Sequence, residues 1–146
     1  MNTNQLYKQL SIIYYGILIG VIGFLLVYYF FFKDIDFSQQ FSDNVTVKFQ
    51  MAGILVLLIA IPLGLKYYSI QVKKIRDIKN EEEKIKKYTN LFIVRLAAIE
   101  FPLLLNLMMF IITKNTSMMY CVGIAFLALL FCKPNKIKML EELNVE

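Results

Sequence analysis

Residues 10–32 read LSIIYYGILIGVIGFLLVYYFFF and contain no charged side chain. As an α-helix this stretch would rise about 34 Å, at ~1.5 Å per residue, which exceeds the ~30 Å hydrocarbon core of a bilayer. A signal peptide would have a shorter apolar core and a cleavage site of small residues. Residues 28–34, YYFFFKD, offer no such site. We therefore predict a retained membrane-spanning helix.

Three further apolar segments follow the first one. The second is uncharged over residues 49–65 and extends to about residue 70, with Lys66 reaching toward the headgroups. The predicted spans are residues 10–32, 49–70, 89–113 and 115–132. Because backbone groups in lipid must bond to one another, each span should be helical. We predict an all-α fold, an antiparallel bundle of four transmembrane helices that forms a single domain over residues 1–146.

The composition agrees with a membrane protein. The 146 residues are 58% hydrophobic, and the mean hydropathy is +0.58, which is too apolar for a small soluble domain. Histidine, the commonest general base and metal ligand, is absent. Cys121 and Cys132 would lie about 16 Å apart along one helix and cannot pair within it. We predict no enzymatic activity, no cofactor and no metal.

The basic residues orient the chain. If both termini lie on one side, twelve Lys and Arg side chains share that side and three lie opposite, Arg95 aside. The positive-inside rule then places both termini in the cytoplasm of a cell whose inner membrane the chain crosses. The net charge of +5 thus indicates lipid headgroups rather than nucleic acid.

Eight of these basic residues lie between the second and third spans, where no helix breaker occurs. We predict that the two spans extend into the cytoplasm as a charged helical hairpin. The turn is expected at Asn80, because the three glutamates at residues 81–83 favour the start of the next helix. A flexible, solvated loop is the alternative.

Small residues occur at positions where helices could pack closely. Gly16 and Gly20 form a GxxxG motif in the first span, and Gly23 follows on nearly the same face. Packing inside the chain is the favoured interpretation, and a homodimer seam is the alternative. Other small residues are expected to pack similarly in the second and fourth spans: Gly53, Ala60, Gly64, Gly123, Ala125 and Ala128.

Two ionisable residues, Arg95 and Glu100, interrupt the third span. Arg95 is long enough to reach the cytoplasmic headgroups, whereas Glu100 lies deeper and must be protonated, paired or in contact with water. Five residues separate them by about 140° around a helix, so they should not pair. Asn106 and Thr113 fall near the face of Arg95 at the same ~100° per residue. We predict a polar face of Arg95, Asn106 and Thr113, with Glu100 elsewhere.

Two prolines and the hairpin register suggest where Glu100 lies. Pro62 and Pro102 should each kink their helix. A hairpin that turns at Asn80 places Glu100 level with Ala60, so two kinks and one carboxyl would converge near mid-membrane. This arrangement is typical of transport sites. The alternative is two independent packing kinks with a neutral Glu100.

The same register places Lys66 level with residue 94, next to Arg95. Two cations at one depth predict an inner basic cluster that binds an anionic lipid headgroup at the inner leaflet. The C-terminal residues 134–146 predict a short amphipathic helix that uses Ile137, Leu140 and Leu143. Such a helix would lie on the membrane surface or cap the bundle. Fraying of this tail is the alternative.

Three short motifs in the last third of the chain resemble a group of small, uncharacterised four-span bacterial membrane proteins. They are Arg95-x-Ala97-x-x-Glu100-x-Pro102, then Thr113-Lys114-Asn115, then Lys133-Pro134-x-Lys136. The resemblance implies a four-span architecture and no particular activity.

The sequence favours a non-catalytic accessory or scaffold protein of the membrane. Its charged hairpin would dock a soluble partner, or its spans would dock a larger membrane complex, and a homo-oligomer is a further option. The alternative function is a small proton- or ion-coupled transporter or channel subunit with Glu100 as the titrating group. A membrane enzyme ranks last, because no group of converging polar residues is evident.

Overall fold

The structure is a computed structural model that describes residues 2–145, and over these residues it contains helices and no strand. The helices are α1 Thr3–Val27, α2 Asp43–Arg76, α3 Glu81–Thr113, α4 Thr116–Phe131 and α5 Lys136–Leu143. The predicted all-α class is confirmed. Three helical segments are long and apolar enough to cross a membrane, and α4 with α5, bent by 70°, would make a fourth if counted together.

The first helix ends in a π-helical turn over Tyr28–Phe32, and Lys114 anchors that turn. The Lys114 ammonium donates to the carbonyls of Phe32 and Lys33 at 3.4 and 3.2 Å and to the Tyr28 hydroxyl at 3.2 Å. The last carbonyls of a helix have no partner within it. Lys114 therefore joins the end of α1 to the end of α3.

Helices α2 and α3 form a hairpin with a four-residue turn. Asn80 is the N-cap of α3, and its side chain accepts the backbone N–H groups of Glu82 and Glu83 at 3.0 and 3.3 Å. The three glutamates in the first turn also interact favourably with the helix dipole. The helical hairpin that turns at Asn80 is observed, while its extension into the cytoplasm stays a prediction.

Small residues set the distance between α2 and α3. A Cβ atom built on Gly64 would lie 2.5 Å from Cβ of Ala98, and one built on Gly53 would overlap the side-chain oxygen of Asn106. Close approach of two helices requires glycine at such positions. A turn at Asn80 is expected to place Gly64 level with Leu96 and Gly53 level with Leu107. The observed partners, Ala98 and Asn106, lie within two residues of these positions.

Helix α3 lies at the centre of the molecule and packs against α1, α2 and α4. Four of its side chains are fully enclosed: Leu96, Ile99, Leu103 and Leu107. Helices α2 and α4 run antiparallel to α3. The first helix runs parallel to α3, since Tyr7 shares a cleft with Tyr88 at one end and the Tyr28 ring meets the Phe110 ring at 5.6 Å at the other.

The glycines of α1 do not pack inside the chain, contrary to the favoured interpretation. A Cβ atom on Gly16, Gly20 or Gly23 would meet nothing within 4 Å. The helix packs instead through a stripe of four buried residues: Leu6, Leu10, Tyr14 and Val21. The glycines lie about 120–180° from Tyr14 at ~100° per residue. In α4 Ala125 is buried, while a Cβ atom on Gly123 would also meet nothing within 4 Å.

Candidate functional site

The buried polar residues among the described ones lie on one face of α3. They are Arg95, Asn106 and Thr113, which are 8%, 0% and 6% exposed, and they are the three that helical spacing predicted to share a face. The Asn106 amide donates to the carbonyls of Pro102 at 2.8 Å and Gly53 at 3.2 Å. Asn106 is therefore a link between α2 and α3.

The Arg95 side chain is covered by aromatic rings. Its guanidinium carbon lies 3.9 Å from the ring centroid of Tyr68 and 5.2 Å from that of Phe92. A terminal nitrogen donates to the Cys132 carbonyl at 3.5 Å, and Nε is buried without a partner. The rings of Tyr68 and Phe92 thus hold the guanidinium against the bundle.

A tyrosine pair and one carboxylate lie beside the arginine. The hydroxyls of Tyr68 and Tyr88 donate to Oε2 of Glu142 at 2.7 and 2.5 Å, and the two hydroxyl oxygens are 3.2 Å apart. Tyrosine is protonated at neutral pH, so both hydroxyls are able to donate. This cluster joins α2, α3 and α5.

These residues border a cleft of about 190 Å³, which we call the Arg95 cleft. Each of the five helices contributes a side chain to it: Tyr7, Tyr68, Tyr88, Phe131 and Met139, in chain order. Lys133 and Lys138 border it and are exposed. Glu142 is the acidic residue of its lining. The cleft thus combines three cations with one carboxylate that is already hydrogen-bonded.

Lys66 does not belong to this group, contrary to the predicted inner basic cluster. It is exposed and lies outside the Arg95 cleft and outside the neighbouring cleft that Lys73, Arg76 and Lys138 border. Nine positions after Leu57, which is buried against the bundle, Lys66 falls about 180° around α2 at ~100° per residue. The cations that border the Arg95 cleft beside Arg95 itself, Lys133 and Lys138, come from the segment after α4 instead.

Glu100 and the two prolines do not converge. Gly64 contacts Ala98, and Glu100 lies two positions further on, about 200° around α3, on the side away from α2. Pro62 is exposed while Pro102 is buried, and both helices continue through their proline. The structure therefore does not bring Glu100 and the two prolines together at one point. Glu100 forms no hydrogen bond or ion pair within residues 2–145.

Sequence reasoning missed the residues that surround Arg95. A hairpin that turns at Asn80 places Tyr68 level with residue 92, one helical turn from Tyr88. The sequence therefore did indicate that these two tyrosines lie close together. It contained no signal for Glu142, whose position depends on the bend between α4 and α5. The amphipathic helix α5 exists and caps the bundle, but it buries Met139 and Leu143, while Ile137 is 70% exposed.

Comparisons with known proteins identified no relative of this chain. No family model matches the chain, and neither a curated protein nor a solved structure is similar to it. The four-span architecture suggested by the short motifs stays a prediction, and the site must be interpreted from its own chemistry.

Proposed function

We propose that the chain crosses the inner membrane of the cell four times, with both termini in the cytoplasm. Support comes from one end of the molecule, where the start of α1, the hairpin turn and α5 lie together. Tyr7 and Met139 share the Arg95 cleft, and Arg76 donates to the Glu141 carbonyl at 3.2 Å. If α1, α2 and α3 each cross the bilayer, α4 must cross as well to bring α5 back. Its 16 residues rise about 24 Å, which a locally thinned bilayer accommodates.

In this arrangement the hairpin extends beyond the membrane. Helices α2 and α3 contain 34 and 33 residues and are each about 50 Å long, at ~1.5 Å per residue, against a hydrocarbon core of ~30 Å. The excess of about 20 Å carries the charged residues. We call residues 71–90 together with α5 the head. Its exposed cations include Lys73, Lys74, Arg76, Lys79, Lys86 and Lys138.

The function that the geometry supports best is that of a non-catalytic accessory protein, whose head docks a soluble partner with an acidic surface. One observation carries this proposal: exposed cations gather at the head, next to the cluster of Arg95, Tyr68 and Glu142, while α3 buries apolar side chains along the centre of the bundle. Leu96, Ile99 and Leu103 are each 0% exposed. Such packing favours docking at one end over passage through the bundle.

Affinity purification from native membranes tests the docking role. We expect a stoichiometric partner that is lost at high salt and in the double variant Lys74→Glu/Lys86→Glu, because exposed charge pairs are screened by salt. The matched control is Lys33→Glu/Lys48→Glu, which changes the same charge at the other end of the molecule. Purification of the protein alone, or equal loss of the partner in both variants, would contradict the proposal.

A second candidate function, a small proton-coupled transporter or channel subunit, has one observation in its favour. Glu100 is a carboxyl without a partner among residues 2–145, in a helix long enough to span a membrane, and such groups commonly serve proton transfer. Proton flux in liposomes distinguishes the two functions. The docking role predicts equal flux for the native chain and Glu100→Gln, whereas the transporter predicts flux that this substitution abolishes.

A further inference from the structure

We infer that the Arg95 cleft is a binding site for a phosphate or phosphate-ester group. The argument begins with Arg95 itself, which is 92% buried and forms no ion pair with any residue from 2 to 145. A guanidinium has five N–H donors. One of them reaches the Cys132 carbonyl at 3.5 Å, and the Nε donor has no partner. A buried cation without a counter-ion is costly, which makes the cleft receptive to an anion.

The residues around Arg95 favour an anion from outside over an internal one. Glu142 is the carboxylate of the cleft, but its Oε2 accepts hydrogen bonds from Tyr68 and Tyr88 and it forms no ion pair with Arg95. Lys133 and Lys138 add two ammonium groups at the rim. Three cations thus face one already occupied carboxylate.

The size and chemistry of the cleft indicate which anion fits. At about 190 Å³ it is smaller than the ~300–1,000 Å³ of pockets that take drug-sized ligands. A planar guanidinium matches the oxygens of a phosphate in bidentate geometry, and flanking ammonium groups complement its remaining charge. The ring of Tyr68 holds the guanidinium plane in place. A single phosphate or one phosphorylated headgroup therefore satisfies the site.

The phosphate has two sources, and both carry the same chemistry. An anionic lipid would present its headgroup from the membrane, and free phosphate or a small phosphate ester would enter from water. Only the assignment of the cleft to the inner leaflet depends on the proposed topology. Binding measured on the detergent-solubilised full chain is independent of that topology and of any docked partner.

Native mass spectrometry and thermal unfolding test the site. The probes are dioleoyl phosphatidylglycerol, with dioleoyl phosphatidylcholine as the zwitterionic control, and inorganic phosphate. We expect the native chain to retain the anionic lipid in preference to the zwitterionic one. Arg95→Gln should weaken that binding about ten- to hundredfold, as expected for hydrogen bonds to a charged group. The matched control Lys66→Gln, an exposed cation outside the cleft, should leave it unchanged.

Two further variants keep the test decisive if Arg95→Gln does not fold. Lys133→Gln/Lys138→Gln changes exposed residues only and should weaken binding about two- to fivefold, as expected for exposed charge pairs. Glu142→Gln removes the one negative charge of the cleft and should tighten binding. Stabilisation by inorganic phosphate that depends on the same residues would assign the site to free phosphate as well as to lipid.

Two results would overturn the inference. One is that neither phosphatidylglycerol nor phosphate binds the native chain. The other is that both bind equally to the native chain and to the Arg95 and rim-lysine variants, or that Lys66→Gln weakens binding as much as they do.

Discussion

At the scale of single residues, the contact between Gly53 and Asn106 joins α2 to α3. The Asn106 amide donates to the Gly53 carbonyl at 3.2 Å, and the space where a Gly53 side chain would stand is occupied by the Asn106 oxygen and by the Met118 sulfur, 3.2 Å away. Both neighbours are fully buried. In a packed interior such neighbours cannot move away without disturbing others.

Substituting Gly53 by alanine tests this contact. We expect Gly53→Ala to lower the free energy of unfolding by about 1–3 kcal/mol, since an added methyl group overpacks the site. Gly16→Ala is the matched control, because a methyl group there meets nothing within 4 Å and alanine favours helix over glycine. Thermal unfolding in detergent measures both. Equal destabilisation by the two substitutions would contradict the assigned packing.

Helical spacing predicted the residues of the site that share one helix, and failed for those that meet across helices. Eleven residues are just over three full turns, which is why Asn106 could be placed on the Arg95 face from the sequence alone. The hairpin register gives the depth of Tyr68 on α2 but not its contact with Arg95. Glu142 could not be placed at all, because it reaches the cluster only through the 70° bend between α4 and α5. No sequence spacing encodes that angle.

At the scale of elements, α5 is an eight-residue helix that depends on its contacts. A helix this short is not stable alone in water. Met139 and Leu143 are buried against the bundle, and Glu142 accepts the two tyrosine hydroxyls. Its N-cap Asn135 accepts the backbone N–H groups of Ile137 and Lys138 at 2.9 and 3.3 Å. The helix therefore stays docked only while these contacts hold.

Removing the two hydroxyls tests how α5 is held. In Tyr68→Phe/Tyr88→Phe both rings remain, and two hydrogen bonds to a carboxylate are lost, each worth about 1.5–3 kcal/mol. We expect the amides of α5 to exchange with deuterium at least tenfold faster, while those of α3 are unchanged. Tyr67→Phe is the control, since Tyr67 is 50% exposed and outside the cluster. Unchanged protection of α5 would show that its apolar contacts suffice.

The orientation of α1 shows why element packing is hard to derive from an all-apolar sequence. The helix is hydrophobic on every side, so no stripe marks the face that turns inward. The GxxxG motif indicated one face, and the structure packs the opposite one. A Cβ atom on Gly16 or Gly20 would meet nothing within 4 Å, and the homodimer seam stays a prediction.

At the scale of the whole molecule, the two ends differ in charge and in packing. One end carries the start of α1, the hairpin turn and α5, with most of the cations. The other carries the short connection between α1 and α2, where Asp36 accepts the backbone N–H of Ser38 at 2.8 Å. A bilayer with an anionic inner leaflet attracts the cationic end. Charge therefore favours the proposed orientation, while packing places the start of α1 and α5 at the same end of the molecule.

Reporter fusions test the orientation and the number of spans together. A reporter active only in the cytoplasm should work at both termini, and a cysteine introduced at Gln39, between α1 and α2, should react with an impermeant thiol reagent from outside, while the buried Cys121 and Cys132 do not. A C-terminal reporter outside with the N-terminal one inside would mean that only three helices cross. That result would conflict with the packing of α5 against α2, in which the Tyr68 hydroxyl donates to Glu142 at 2.7 Å. The position of the C-terminus therefore decides between three spans and four.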